Sequence, residues 1–307
     1  MKEAIWALED ELKRLQAEGC EGLSIDDSAL EALAKFARRS DGQELPDTPE
    51  LVKFAQKIDF NPKKLEERRQ VMPRKAKVVA DGFQIAEIPS PKAFKLPDGD
   101  KAARWNALRD IVLGDEVCAQ HLRPGKKIVF GIGNLDADIF FCGEAPGADE
   151  EIQGEPFVGK AGQLLTKIIA AMGLKREDVY IGNIMNWRPE LPTRTGNRPP
   201  TQEEMAYCLP YLKAQLEIVK PKVVVALGMT AVNGLLGYDP SRRMGKIRGT
   251  LQDFEGAKLM ITYHPSFLLQ YASAEKKRQV WEDMLAVMEY VGLPISAKQR
   301  SYFLAKK

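Results

Sequence analysis

Histidine is almost missing from this chain: two residues in 307, His121 and His264. Chemistry that needs an imidazole, as base, electrophile or metal ligand, therefore has two addresses. Cysteine is nearly as scarce. Cys20, Cys118, Cys142 and Cys208 are widely spaced and form no CxxC pair, which reads as free buried thiols rather than a disulfide framework. No apolar run reaches the ~18 residues of a membrane span, and the start carries no charged-then-apolar leader. The expectation is a soluble cytoplasmic protein with no membrane association. Internal repeats are absent. The net charge is only +2, which neither demands nor excludes nucleic acid, because a DNA-binding face needs only a local basic patch.

What is present fits an ordinary globular chain, 44% hydrophobic and 29% charged, long enough for one large domain and an appendage. Three parts are expected: a helical and linker extension over 1–104, an α/β domain over 105–295, and a tail over 296–307. Residues 1–50 hold 6 basic against 13 acidic side chains, and 51–104 hold 13 against 7. Met1 to Gly19 reads as an amphipathic helix. Ser28 with Glu31 suits a capping box, and Thr48-Pro49-Glu50 another helix start. The basic run from Lys63 to Lys77 could track DNA phosphates or form a solvated helix face.

From about Trp105 the pattern alternates. Apolar runs at 139–142, 179–184, 223–227 and 259–262 are separated by helix-like stretches at 161–172, 202–219 and 230–236, and a last one follows at 276–290. Such a pattern predicts a three-layer α/β/α fold around a four-stranded, mainly parallel sheet. Ligands in these sheets bind beyond the carboxyl ends of the strands.

Those ends carry chemistry. The first runs into Gly143-Glu144-Ala145-Pro146-Gly147 and the acidic Asp149-Glu150-Glu151. Gly154-Glu155-Pro156-Phe157-Val158-Gly159-Lys160 then forms a tight loop opening a helix. The second strand ends at Asn183, the third at Gly228, and the fourth at Tyr263-His264-Pro265-Ser266. A carboxylate, an aromatic ring, an amide and an imidazole thus converge on one cleft.

This ordered set, over about residues 118–292, resembles the uracil-DNA glycosylase superfamily, and within it the thermophile-type, iron–sulfur branch called family 4. The resemblance implies an enzyme that flips uracil out of DNA and hydrolyses its bond to the sugar, leaving an abasic site for base excision repair. Phe157 would stack on the uracil. Asn183, with Ala145 and Gly147 beside it, would read the base, since an amide both donates and accepts. His264 would hydrogen-bond O2, where charge collects as the bond breaks. Glu144 would stabilise the oxocarbenium-like sugar and orient water. Glu150 would sit near C5 and exclude thymine, with water activation left open between the two acids. Pro265, Ser266, Leu268 and Leu269 resemble the loop that wedges into the DNA stack, one of the two leucines being the wedge. Arg198 and Arg248 are candidate backbone contacts.

The chain departs from family 4 at its cluster. The first CxxC pair is reduced to Cys118-Ala119-Gln120-His121, Trp187 stands at the third cysteine position, and only Cys208 remains of the second pair. With two of four thiolates missing, no iron–sulfur cluster, no metal and no other cofactor is expected, and Trp187 is expected to fill the space by packing. The 190–196 loop is longer than the family's usual turn and lacks the histidine with which a related branch traps the sugar, which favours ordinary turnover. A monomer acting on uracil in single- or double-stranded DNA is the expectation. A glycosylase of wider deaminated-base specificity and a weakly catalytic DNA-lesion binder are the alternatives.

Overall fold

A computed structural model describes residues 87–190, 197–271 and 273–304. The readings made for residues 1–86, among them the basic run from Lys63 to Lys77, and for most of the 190–196 loop lie outside the described residues.

A six-stranded sheet organises the domain, in the order β1-β3-β2-β4-β6-β5. Its strands are β1 (Ile132–Gly133), β2 (Ile139–Gly143), β3 (Tyr180–Asn183), β4 (Val223–Leu227), β5 (Leu251–Phe254) and β6 (Ala257–Thr262). The four strands read from the sequence form its parallel centre, β3-β2-β4-β6. The sheet has two strands more than the expected four: β1 and β5 add antiparallel edges. Every residue of β2, β3 and β4 is buried, the signature of strands covered on both faces.

The two covering layers follow from the two-residue alternation of a strand. On one face Phe140, Cys142, Val224, Ala226 and Ile261 pack beneath α1 (Lys101–Leu113), α5 (Gln202–Val219) and α6 (Met229–Leu236). On the other, Phe141, Ile181, Val225 and Met260 pack beneath α4 (Lys160–Ala171) and α9 (Ala274–Val291). Shorter helices fill the connections: α2 (Glu116–Gln120), α3 (Ala148–Gln153), α7 (Met244–Ile247), α8 (Pro265–Gln270) and α10 (Ala297–Arg300). Helix α5 starts on a reciprocal cap. The Thr201 hydroxyl accepts from the Glu204 N–H (3.2 Å) and the Glu204 carboxylate accepts from the Thr201 N–H (2.7 Å).

Both ends of the described chain lie on this core. Ile88, Phe94 and Leu96 pack against the first face, and the Phe94 ring is 5.3 Å from that of Tyr211. At the other end Gln299 accepts a hydrogen bond from the Trp281 indole and donates to the Ala171 carbonyl at 2.9 Å. Among the described residues no helix is long and apolar enough to cross a membrane.

Candidate active site

Chain order places β3 on one side of β2 and β4 on the other, so the crossover opens a crevice at the carboxyl ends of these strands. Gly143 lies beside Asn183 in the sheet register, and Leu227 beside Thr262. The segments following them surround one cleft of about 760 Å³, lined by Glu144, Ala145, Gly147, Glu150, Phe157, Asn183, His264 and Ser266. Arg198 lines it too, so the structure brings together nine of the sequence-read candidates.

Phe157 is set by its backbone. Its φ is +55°, a left-handed conformation that side chains other than glycine's rarely adopt. Gly162, on the first turn of α4, permits it, because a Cβ there would lie 1.9 Å from the Phe157 carbonyl oxygen. Gly143 performs the same service from below: a Cβ would meet Asn183 Oδ1 at 2.4 Å and Phe157 Cζ at 2.4 Å. Ring and amide are therefore held against the bare backbone at the end of β2.

Asn183 is buried, and its Oδ1 has no hydrogen-bond partner in the protein. Leaving such an acceptor unmatched costs ~1–3 kcal/mol. A bound N–H donor in the cleft would satisfy it.

His264 caps α8. Its Nδ1 accepts from the Ser266 N–H at 3.1 Å and lies 2.7 Å from the Ser266 hydroxyl. A ring nitrogen that accepts from a backbone N–H carries no proton, so the neutral ring bears its proton on Nε2 and has a donor to offer. Burial pushes the imidazole down to about 4, which keeps it neutral at physiological pH. The Phe157 and His264 ring centroids are 5.7 Å apart.

The two acids differ. Burial holds the Glu144 carboxyl above its usual range, partly offset by a hydrogen bond from the Thr230 hydroxyl. Thr230, on the first turn of α6, escaped the sequence reading; its only signal was its place just past the Gly228 strand end. Glu150 is held by backbone through both oxygens. Oε1 accepts from the N–H groups of Val158 and Gly159, both at 2.9 Å, and Oε2 from that of Gly147 at 3.1 Å. It laces the loop after β2 to the loop that carries Phe157.

The family model described as "Uracil DNA glycosylase superfamily" matches residues 130–285. The chain belongs to the uracil-DNA glycosylase superfamily. It is 44% identical to the type-4 uracil-DNA glycosylase of Thermotoga maritima over 57% of this chain and 88% of that protein. It is also 44% identical to that of Archaeoglobus fulgidus, over 45% and 70% respectively. The type-4 enzyme of Pyrobaculum aerophilum is 37% identical over 53% and 83%. Type 4 is thus the branch it stands nearest within the glycosylase superfamily.

On this glycosylase frame the two arginines read as backbone contacts are each paired with a buried carboxylate. Arg198 forks onto Glu204 at 2.6 and 2.7 Å, with its third nitrogen on the Glu190 carbonyl. Arg248 is clamped to Asp283 and the Gln279 carbonyl. Asp283 also accepts from Thr262 at the end of β6. Both guanidiniums are held by internal carboxylates; Arg198 lines the cleft as well, and Arg248 braces the strand that delivers His264. The leucines divide: Leu268 is buried, whereas Leu269 is 49% exposed. Pro265 is buried as the first residue of α8. Arg188, absent from the sequence-read site, also lines the cleft and bonds Glu151 at 2.8 Å and Asn197 at 3.0 Å.

The cluster that family 4 implies meets a poor set of residues. Cys118 and Cys208 share a hydrogen bond, and this contact together with burial pushes the Cys118 thiol up, so that it keeps its proton. Trp187 is fully buried and stacks on His121, with centroids 5.1 Å apart and planes 13° from parallel. Asp115 accepts from Tyr207 and Tyr211, each at 2.8 Å, and from the Cys118 N–H. Cys142 lies within β2, its sulfur 3.7 Å from the Gly143 carbonyl. Two neighbouring thiols, one of them held protonated, with an indole and an imidazole packed beside them in place of further thiolates, do not fit a four-thiolate cluster.

Proposed function

We propose that this chain is a monofunctional uracil-DNA glycosylase that works as a monomer and without an iron–sulfur cluster. The observation that carries the reading is the unpartnered Oδ1 of Asn183, buried beside the Phe157 ring in a cleft that also holds a neutral histidine. Uracil offers an N3–H to that oxygen and a carbonyl, O4, to the amide nitrogen. Cytosine has an acceptor at N3 and an amino group in place of O4, so it mismatches both.

The chemistry follows from the same groups. The flipped base stacks on Phe157, and the Nε2–H of His264 donates to O2, where negative charge grows as the bond to the sugar breaks. A neutral donor aimed at a developing oxyanion stabilises the transition state more than the ground state. The sugar becomes cationic. Glu144, as carboxylate, stabilises it and directs a water to C1′. Glu150 acts through the loops it ties together. The three backbone bonds it accepts, spread over both oxygens, support a framing role. Uracil in single- or double-stranded DNA is the substrate.

The test is cleavage of a labelled oligonucleotide holding one uracil, with alkali revealing abasic sites. The parent should cleave in a uracil-dependent way, and His264→Ala should fall by at least ~100-fold, as when a positioned charge-stabilising donor is lost. Clean protein that binds but never cleaves either form of uracil DNA would favour the lesion-binder reading. Equal cleavage of hypoxanthine-containing DNA would favour the wider specificity.

A further inference from the structure

Beside the cleft stands a column of aromatic rings that the proposed chemistry does not use. Tyr263, Phe267 and Tyr271 are spaced four residues apart, running from the end of β6 along one side of α8. The Tyr263 and Phe267 rings are stacked, with centroids 4.6 Å apart and planes 12° from parallel. The Phe267 and Tyr271 centroids are 4.9 Å apart, with a 38° tilt. Two cations cover the inner end: Lys276 Nζ lies 5.4 Å and the Arg248 guanidinium 5.7 Å from the Tyr263 centroid. The outer end is open. Tyr271 is 59% exposed, and among the described residues no further ring lies upon it.

Position gives the column a meaning. Tyr263, Phe267 and Gln270 line the same cleft as His264 and Asn183, so the rings climb from the base pocket to the surface. Leu269 points elsewhere, roughly 200° around the helix from Phe267 at ~100° per residue. Wedge and column are therefore separate devices on two sides of one short helix. Every nucleobase has a π-face, and exposed rings in series beside a charged groove are how proteins hold unpaired strands.

Building on the glycosylase reading, we infer that the Tyr263–Phe267–Tyr271 column is a stacking platform for an unpaired base neighbouring the flipped uracil, with Tyr271 as the residue it rests on. A neighbouring base partnered in a duplex must first give up its pair and its stack to reach Tyr271, so the column favours uracil in single-stranded or frayed DNA. The phosphate linking that base to the uracil nucleotide would pass near Lys276.

Two measurements on the full chain test this. Binding of a fluorescent, uracil-free oligo-dT strand, followed by anisotropy, should weaken about fivefold or more in Tyr271→Ala, the lower end of the loss seen when one base–aromatic stack is removed. Tyr271→Phe should bind like the parent. In the second, each nucleotide flanking a single uracil is replaced in turn by a base-less tetrahydrofuran. One flanking position should lower kcat/KM about fivefold or more in the parent and have no effect in Tyr271→Ala. Binding by Tyr271→Ala equal to the parent's, or a flanking-base dependence that survives that substitution, overturns the platform. If the parent cleaves no uracil DNA, the glycosylase reading fails while the anisotropy arm still decides for or against the platform.

Discussion

Replacing Gly143 with alanine adds one methyl group at the floor of the cleft, and the geometry says where it lands. The new Cβ would stand 2.4 Å from Asn183 Oδ1 and 2.4 and 2.6 Å from two carbons of the Phe157 ring. Comfortable carbon contacts are ~3.5–4.0 Å, so ring and amide must each retreat by about 1 Å. Phe157 has little room to do so, since its carbonyl is seated against Gly162. A misplacement of ~1 Å in groups that position the substrate can cost ~100-fold, and kcat/KM on a uracil oligonucleotide should fall by about that much. Overpacking of this kind costs ~1–3 kcal/mol. At ~2–4 °C per kcal/mol for a domain of this size, Tm should fall by no more than ~12 °C. Gly245→Ala, where a Cβ meets nothing within 4 Å, serves as control and should be neutral. The assay is single-turnover cleavage alongside a thermal melt. Cleavage within threefold of the parent, with an unchanged melt, would refute the claim that Gly143 keeps the slot for the base open.

Other consequences follow from charge and burial. Because burial holds His264 down to about 4, the pH profile of kcat/KM should show no limb at the ordinary histidine value of ~6.5. Its acid limb should belong to Glu144, whose carboxyl is held above the usual range: activity is lost as pH falls and that group takes a proton. Glu144→Gln should remove the limb together with most of the rate. Arg248→Ala should act on stability rather than on DNA affinity. Stripping a buried carboxylate of its partner costs up to ~3–5 kcal/mol. Asp283, already pushed up to about 6 by burial, can limit the damage by taking a proton. Its folded pKa rises further in the variant, so stability is lost as pH rises through it. The Tm deficit should therefore be larger at pH 8 than at pH 5, and an unchanged Tm with a shallower salt dependence of DNA binding would return Arg248 to the phosphate backbone. Leu268→Ala should cost ~2–5 kcal/mol as a buried truncation, whereas exposed Leu269→Ala should stay within ~0.5 kcal/mol and lose activity mainly on duplex DNA. Melting curves with paired single- and double-strand assays separate the two.

Legibility in the sequence followed burial. The four central strands stood out because residues such as Val223, Val224 and Val225 must be apolar on both faces of a covered sheet. The edge strands carried no such signal: β1 is an Ile-Gly pair, and β5 reads Leu-Gln-Asp-Phe with its middle exposed. The cleft residues were readable because they follow strand ends, where topology gathers them. The internal partners of Arg198 and Arg248 stayed hidden for the opposite reason. A cation in a turn looks solvent-facing until its partner is known, and Asp283 lies 35 residues beyond Arg248 on another helix. Glu204 was six residues from Arg198, yet its sequence position advertised only the cap of α5. Local spacing reveals the first partner of a side chain and hides the second.

The same distinction changes what Glu150 means. From sequence, an acid six residues past Glu144 and near the base slot looks like a group that touches the substrate. In the fold its two oxygens close three backbone hydrogen bonds, which fix the distance between the turn carrying Glu144 and the turn carrying Phe157. A carboxylate used this way shapes the slot that it also lines. On the proposed reading discrimination rests on Asn183, among the described residues the one cleft side chain with a buried polar atom left unmatched. That inversion has a physical basis. A site can afford one buried group without a partner when the substrate supplies it, and every neighbour must then be satisfied internally so that the unmet bond selects the ligand.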